Sequence, residues 1–174
     1  QLGPMIGLDI FERHFAPKYH EYFKMVRSYG ARSMLHMCGA VWLFLPRLIE
    51  LGLDVYDVVQ PTTPENDVVT LGKQFGRNLI FHGSMDVQKE IAFGNPADVE
   101  REVIRRLDHF SVGGLILGPS HKIQPNSPIE NILAMYRAAG SLLESIPREI
   151  YELSDSDQLP FTAYRGTKLV IPAS

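Results

Sequence analysis

A histidine and a cysteine two residues apart, His36 and Cys38, have side chains suited to metal chemistry. They follow the strand-like run at 33–35 and precede Gly39. Residues two apart in an extended segment point to the same face. Imidazole nitrogen and thiolate sulfur are both zinc ligands, so the spacing is compatible with a zinc site. The simpler interpretation treats Cys38 as a small buried residue and His36 as an ordinary polar one.

A second histidine, His121, stands just past another apolar run, in the segment GPSH at 118–121. As a third ligand beside His36 and Cys38 it would complete a three-ligand set with an open position, the arrangement of catalytic zinc. It could instead act as a general acid or donate a hydrogen bond to an anionic substrate. The residues alone leave both roles open.

Further polar residues follow the apolar runs and are candidates for substrate contact. Ordinary loop capping is an equally good explanation for most of them. The glycine at 118 also allows the backbone of the last of these loops to approach a ligand closely. The four predicted substrate-binding residues are Gln60, His82, Asp86 and Ser120.

The elements that must position these residues form a repeated βα pattern. Four apolar runs are each followed by a helix-like segment, as in a barrel or an open α/β sheet, where ligands bind at the carboxyl ends of the strands. Four βα units are half of a TIM-type (βα)8 barrel, whose length is typically ~250 residues. Strands are predicted at 31–36, 55–59, 78–81 and 114–117, and helices at 10–29, 40–51, 64–76, 87–92, 96–110 and 127–143.

The pattern predicts one domain over residues 1–146 and an irregular tail over 147–174, where Ser, Asp, Pro and Thr replace the periodic signal. A half barrel leaves two sheet edges and its core uncovered. We therefore expect it to pair with an amino-terminal half or with a second copy. Because the chain starts at Gln1, the fragment interpretation is favoured.

The amino-acid composition excludes several classes of function for this protein. The 174 residues are 45% hydrophobic and 21% charged, with a formal net charge of −3, so nothing indicates a nucleic-acid or anionic-membrane partner. No apolar stretch reaches the roughly 18 residues of a membrane span, and no signal peptide is visible. The single cysteine excludes an internal disulfide and suits a reducing compartment. These features predict a cytoplasmic protein with a small-molecule substrate.

Several segments together resemble the uroporphyrinogen decarboxylase superfamily, which includes decarboxylases of haem biosynthesis and zinc-dependent methyltransferases that work with corrinoid proteins. The resemblance covers residues 1–143 and implies the carboxyl-terminal half of a (βα)8 barrel. The segments are LHMCG at 35–39, LIELGLD at 48–54, FHGSMD at 81–86, GPSHKIQP at 118–125 and NILAMY at 131–136.

The resemblance implies two alternative chemistries. In the methyltransferases a His-x-Cys pair, matched by His36 and Cys38, and a later cysteine bind zinc, which activates a thiol; His121 occupies that later position. In the decarboxylases the later position is a histidine and the His-x-Cys pair is absent. We predict an enzyme performing zinc-assisted methyl transfer from a corrinoid or methylated donor to a thiol. The alternatives are metal-free porphyrinogen decarboxylation in tetrapyrrole biosynthesis, with His121 at the substrate carboxylates, and a non-catalytic scaffold.

Overall fold

The computed structural model describes residues 3–140, which form a parallel four-stranded sheet with helices between the strands. The strands lie side by side in chain order, as βα units joined by helical crossovers require. The predicted α/β fold is confirmed, and it is that of a partial TIM-type barrel. The strands are β1 (Met34–His36), β2 (Val55–Val59), β3 (Ile80–Met85) and β4 (Leu115–Pro119).

The helices follow the predicted order with shifted boundaries. The first, α1, begins at Leu8–Ile10, widens into a π-helical turn at Phe11–Phe15 and continues through Ala16–Ser28. Its N-cap is Gly7, and Asp9 lies in the first turn. The others are α2 (Leu45–Leu51), α3 (Val68–Phe75), α4 (Glu90–Phe93), α5 (Pro96–His109) and α6 (Ile129–Ala138), with short 3-10 turns at Trp42–Phe44 and Pro64–Asn66.

Proline explains the late start of α2. The apolar pattern begins at residue 40, but Pro46 lacks the N–H that a helix interior needs and is tolerated in the first turn. The chain therefore forms a 3-10 turn first and enters the α-helix at Leu45. Gly52 closes α2 with φ +107°, a left-handed conformation that glycine adopts readily at a helix C-terminus. The predicted tail at 147–174 and the predicted end of the last helix lie outside the described residues.

Strand β3 is longer than predicted, because Gly83 lies within the strand instead of ending it. Its φ is +86°, and a Cβ there would lie 2.3 Å from Val58 Cγ2 and 2.9 Å from the Pro119 carbonyl oxygen. Glycine thus lets β3 pass closely between β2 and β4. As a result His82 lies inside the strand and Asp86 directly follows it.

The main core lies between the sheet and the first three helices, and Tyr56 of β2 is at its centre with no exposed surface. Its neighbours include Leu45 and Leu48 of α2 and Phe81 of β3. Since side chains alternate along a strand, burial of Tyr56 towards the helices turns the next residue, Asp57, to the opposite face. This alternation positions the candidate site.

Tyr56 predicts a specific loss of stability in alkali. Burial raises its pKa to about 12, and the nearby Asn66 amide, without hydrogen-bond geometry to the hydroxyl, offsets the rise only in part. With an unfolded-state pKa of about 10, the neutral phenol stabilises the fold fully below pH 10, and up to about 3 kcal/mol is lost as the pH rises towards 12. Urea unfolding at pH 8, 10 and 11.5 measures this loss.

Tyr56→Phe is the control for the alkaline loss. The buried hydroxyl has no hydrogen-bond partner within residues 3–140, so its removal should cost little at pH 8. The variant should also lose less stability between pH 10 and 11.5. An alkaline loss equal to that of the parent would contradict the prediction.

Candidate functional site

Two neighbouring strands bring His36 and Asp57 side by side. His36 ends β1, and the parallel register pairs it with Asp57 of β2. Asp57 is also the partner of His82 on β3, so all three side chains lie on the sheet face opposite Tyr56. In a barrel this is the inner face, and its end at the strand carboxyl termini is where ligands bind.

One carboxylate links the two imidazoles. Asp57 Oδ2 lies 2.7 Å from His36 Nδ1, and Asp57 Oδ1 lies 2.6 Å from His82 Nδ1. An ionised carboxylate only accepts hydrogen bonds, so each Nδ1 carries the proton and each Nε2 has a free lone pair in the neutral ring. The carboxylate therefore orients both rings and directs their Nε2 atoms away from β2.

His36 Nε2 faces the sulfur of Cys38 at 3.3 Å, so the structure brings the predicted pair together. Both side chains are exposed on the inner face. On a tetrahedral zinc ion, a nitrogen and a sulfur ligand at ordinary bond lengths stand about 3.6 Å apart. The His36–Asp57 hydrogen bond is also the carboxylate–histidine arrangement that commonly supports a metal ligand. These donors thus fit two positions of a zinc site.

His121, the predicted third ligand and catalytic residue, is exposed in the bend that follows β4, one residue after the buried Ser120. Among residues 3–140, no three His, Cys, Asp or Glu side chains are grouped in a way that could hold a metal ion. The structure therefore does not bring His121 together with His36 and Cys38. Its roles as ligand and acid remain predictions.

The predicted substrate residues divide between the inner face and the buried loops. His82 lies on the inner face, and Gly118 of β4 is its neighbour there, since a Cβ added at Gly118 would stand 3.9 Å from the His82 Nε2. Gln60 is instead 4% exposed, and its Oε1 accepts the Gly39 N–H at 2.9 Å. Substrate contact by either residue remains a prediction.

Asp86 and Ser120 hold the loops after β3 and β4. Asp86 Oδ1 accepts the Gln88 N–H at 2.7 Å, and Ser120 Oγ accepts the Val87 N–H at 3.3 Å. The Ser120 N–H donates to the Met85 carbonyl at 2.6 Å, which continues the ladder between the two strands. These contacts agree with the alternative interpretation of both residues, in which they cap loops. Substrate contact by Asp86 or Ser120 remains a prediction.

Asp86 also lines a cavity of about 340 Å³ between the loop after β2 and α5. Arg105 bridges two carboxylates there, at 2.7 Å from Asp67 and 3.1 Å from Glu102. Burial raises the pKa of each carboxyl, but the hydrogen bonds and charges of Arg105 and Arg106 outweigh it, and both pKa values fall below the ordinary range. We assign this paired network to stability.

Asp57 is the site residue that motif spacing does not identify. A local signal does exist, because Asp57 is the one charged residue in the otherwise apolar strand at 55–59. A charge in a buried strand requires a partner. Its partners lie 21 and 25 residues away along the chain, and only the strand register reveals them.

The parallel βα units define the class of the protein, a barrel-type α/β protein. Its histidine, carboxylate and thiol side chains lie at the carboxyl ends of the strands. The chain belongs to the uroporphyrinogen decarboxylase (URO-D) family, whose model matches residues 2–142. A similar solved structure, a methyltransferase from Methanosarcina mazei, superposes with a TM-score of 0.62 at 19% identity, over 76% of this chain and 37% of that one. The chain thus spans about a third of that protein's length, and the likeness shows the fold. No curated protein matches the sequence.

None of the helices within residues 3–140 is long and apolar enough to cross a membrane.

Proposed function

We propose that this chain carries the thiol-activating part of a zinc-dependent methyltransferase of the uroporphyrinogen decarboxylase family, with His36 and Cys38 as zinc ligands. The observation that carries the proposal is the 3.3 Å contact between His36 Nε2 and Cys38 Sγ, with His36 Nδ1 held by Asp57. Paired nitrogen and sulfur donors suit zinc, and the hydrogen-bonded carboxylate fixes the tautomer that can bind it.

Each residue of the site would have a distinct role in such a reaction. A bound zinc ion would act as a Lewis acid that lowers the pKa of a substrate thiol and so provides a thiolate at neutral pH. Asp57 keeps His36 Nε2 unprotonated for binding, and Cys38 supplies the anionic sulfur. His82, oriented by the same carboxylate, can accept the proton that the thiol releases.

His121 is proposed as the third zinc ligand, which requires its exposed loop to move towards the pair. The methyl donor would be a corrinoid protein or a methylated small molecule, and the acceptor a small thiol. The fold relationship to a methyltransferase agrees with this chemistry.

Metal content of purified protein tests the proposal. The parent should contain close to one zinc per chain, and Cys38→Ser should bind it at least about 10-fold more weakly because the serine hydroxyl is a far poorer zinc ligand than a thiolate. His14→Ala is a matched control, since His14 is exposed on α1, away from the sheet. Substoichiometric zinc in the parent, or full zinc in Cys38→Ser, would refute the proposed ligand pair.

Metal-free decarboxylation is the second candidate, and the Asp57 carboxylate shared by two imidazoles favours it. Decarboxylation leaves a carbanion that must be protonated, and an imidazole held by a carboxylate is a suitable proton donor. His82 would provide the proton from Nε2 in its imidazolium form, with Nδ1 still bound to Asp57, and His121 would contact the substrate carboxylates. Protein that is free of zinc and releases CO₂ from a porphyrinogen would support this candidate over methyl transfer.

A further inference from the structure

Two buried amide side chains, Gln60 and Asn66, hold the residue that follows Cys38. Gln60 Oε1 accepts the Gly39 N–H at 2.9 Å, and Asn66 Nδ2 donates to the Gly39 carbonyl at 3.3 Å. Asn66 Nδ2 also donates to the Gln60 carbonyl at 2.7 Å. Gln60 is 4% exposed and Asn66 0%, so water hardly competes for these bonds.

The residue before Cys38 is held as well. The Met37 N–H donates to the Asp57 carbonyl at 2.6 Å, so backbone groups on both sides of Cys38 are bound to β2 and its loop. Asn66 is itself firmly placed, because the next residue, Asp67, caps α3 with its side chain. The backbone on both sides of Cys38 is therefore held by hydrogen bonds from β2 and from the loop that follows it.

We infer that Asn66 and Gln60 are positioning residues that set where the Cys38 sulfur stands relative to His36 Nε2. Both polar groups of Gly39 are bound, which fixes the peptide planes that follow the Cys38 Cα atom. If these bonds are lost, Gly39 can leave its left-handed conformation, at φ +86°, and the thiol moves with the loop. The metal-binding consequence rests on the proposed function, whereas the position of the thiol does not.

Asn131 provides a matched control for Asn66. It is 1% exposed, and its Nδ2 likewise donates to two carbonyls, those of Ile91 at 3.0 Å and Gly94 at 2.8 Å. Asn66→Leu and Asn131→Leu thus remove the same kind of buried contact, but only Asn66 contacts the loop of Cys38. Similar losses of thermal stability in the two variants would confirm the match.

Cobalt binding and thiol labelling then test the inference on the full chain. Asn66→Leu should weaken Co²⁺ binding, followed by thiolate-to-cobalt absorption, by about 10-fold or more, whereas Asn131→Leu should keep the parental affinity. Cys38 is the single cysteine, so the iodoacetamide labelling rate of metal-free protein reports its surroundings alone. That rate should change several-fold in Asn66→Leu and stay parental in Asn131→Leu.

Gln60→Met provides an independent test of the second amide. It removes the oxygen that accepts the Gly39 N–H, so its labelling rate should change several-fold, as that of Asn66→Leu should. Equal labelling rates in the Asn66→Leu and Asn131→Leu variants would overturn the positioning role. A parent that binds no cobalt but shows the expected labelling differences would instead refute the zinc proposal alone.

Discussion

Replacement of Asp57 by asparagine is expected to weaken zinc binding at His36 and Cys38 by about 10- to 100-fold, the usual effect of losing a hydrogen-bonded carboxylate behind a metal ligand. The carboxylate accepts from both His36 Nδ1 and His82 Nδ1, and an amide can replace only one of these acceptors. Where the amide NH₂ faces an imidazole, that ring must carry its proton on Nε2. His36 in that form cannot bind zinc.

Asp57→Asn keeps the size of the side chain, so the fold should remain stable. Asp54→Asn is the matched control, because this carboxylate lies just before the same strand and has similar side-chain exposure, 11% against 18%. It binds Ser33 and two arginines instead of the site histidines. Zinc titration against a chromophoric chelator, beside thermal melts of both variants, measures the effect.

Histidine tautomers give a readout of the Asp57 contact that needs no metal. Nitrogen NMR of the parent should show both imidazoles protonated at Nδ1, and Asp57→Asn should change at least one of them. A variant with full zinc affinity and parental tautomers would show that Asp57 does not orient His36.

The βα architecture could be predicted because local chemistry specifies it. Val55–Val59 is apolar and β-branched apart from Tyr56 and Asp57, and Pro96 with Asp98 starts α5 as the capping rules expect. The predicted boundaries of strands and helices were wrong where tertiary contacts outweighed the local sequence preference. Gly83 suggests a turn in the sequence, but it lies within β3 because its neighbours leave no room for a Cβ.

The site could be predicted only in part. The His36–Cys38 pair is visible because both residues belong to one short segment, whereas the Asp57 contacts depend on register between strands. The contact of Ser120 with the Val87 N–H likewise arises between loops that meet only in the fold, whereas Asp86 caps the Gln88 N–H by a local contact two residues along the chain. Sequence patterns reveal which residue types are present, and packing decides whether an amide or carboxylate faces a ligand or a backbone group.

Arg106 illustrates the same limit on α5, where two adjacent arginines have opposite surroundings. Arg105 has an exposed ion pair with Asp67, whereas Arg106 is 2% exposed and reaches β3. Its guanidinium donates to the Ser84 hydroxyl at 3.2 Å and to the Ser84 carbonyl at 2.9 Å, and it pairs with Glu102. Ser84 has φ +83°, so Arg106 holds a strained residue at the end of β3.

Arg106→Met is expected to destabilise the protein by about 3–5 kcal/mol, because it leaves a buried carbonyl and part of a carboxylate without partners. Urea unfolding at pH 7 measures the loss. Arg101→Met, five residues earlier on α5, is the matched control; its side chain is 67% exposed, and its removal should change stability by no more than about 0.5 kcal/mol.

The double variant Glu102→Leu/Arg106→Met shows how much of the stability loss in Arg106→Met comes from the unpaired Glu102 charge and how much from lost packing. With both charges replaced by apolar groups, part of the stability should return, because no partly buried carboxylate is then left short of a partner.

Acid provides a second check on the ion pair between Glu102 and Arg106. Burial raises the pKa of Glu102, but the hydrogen bond and charge of Arg106 lower it by more, so the pKa of the folded state lies below the ordinary value. The ion pair therefore stabilises the fold fully above the unfolded-state pKa of about 4.3, and this contribution is lost as the pH falls below it. Arg106→Met should therefore lose less stability between pH 5 and pH 3 than the parent, and an acid loss equal to that of the parent would show that the pair contributes nothing.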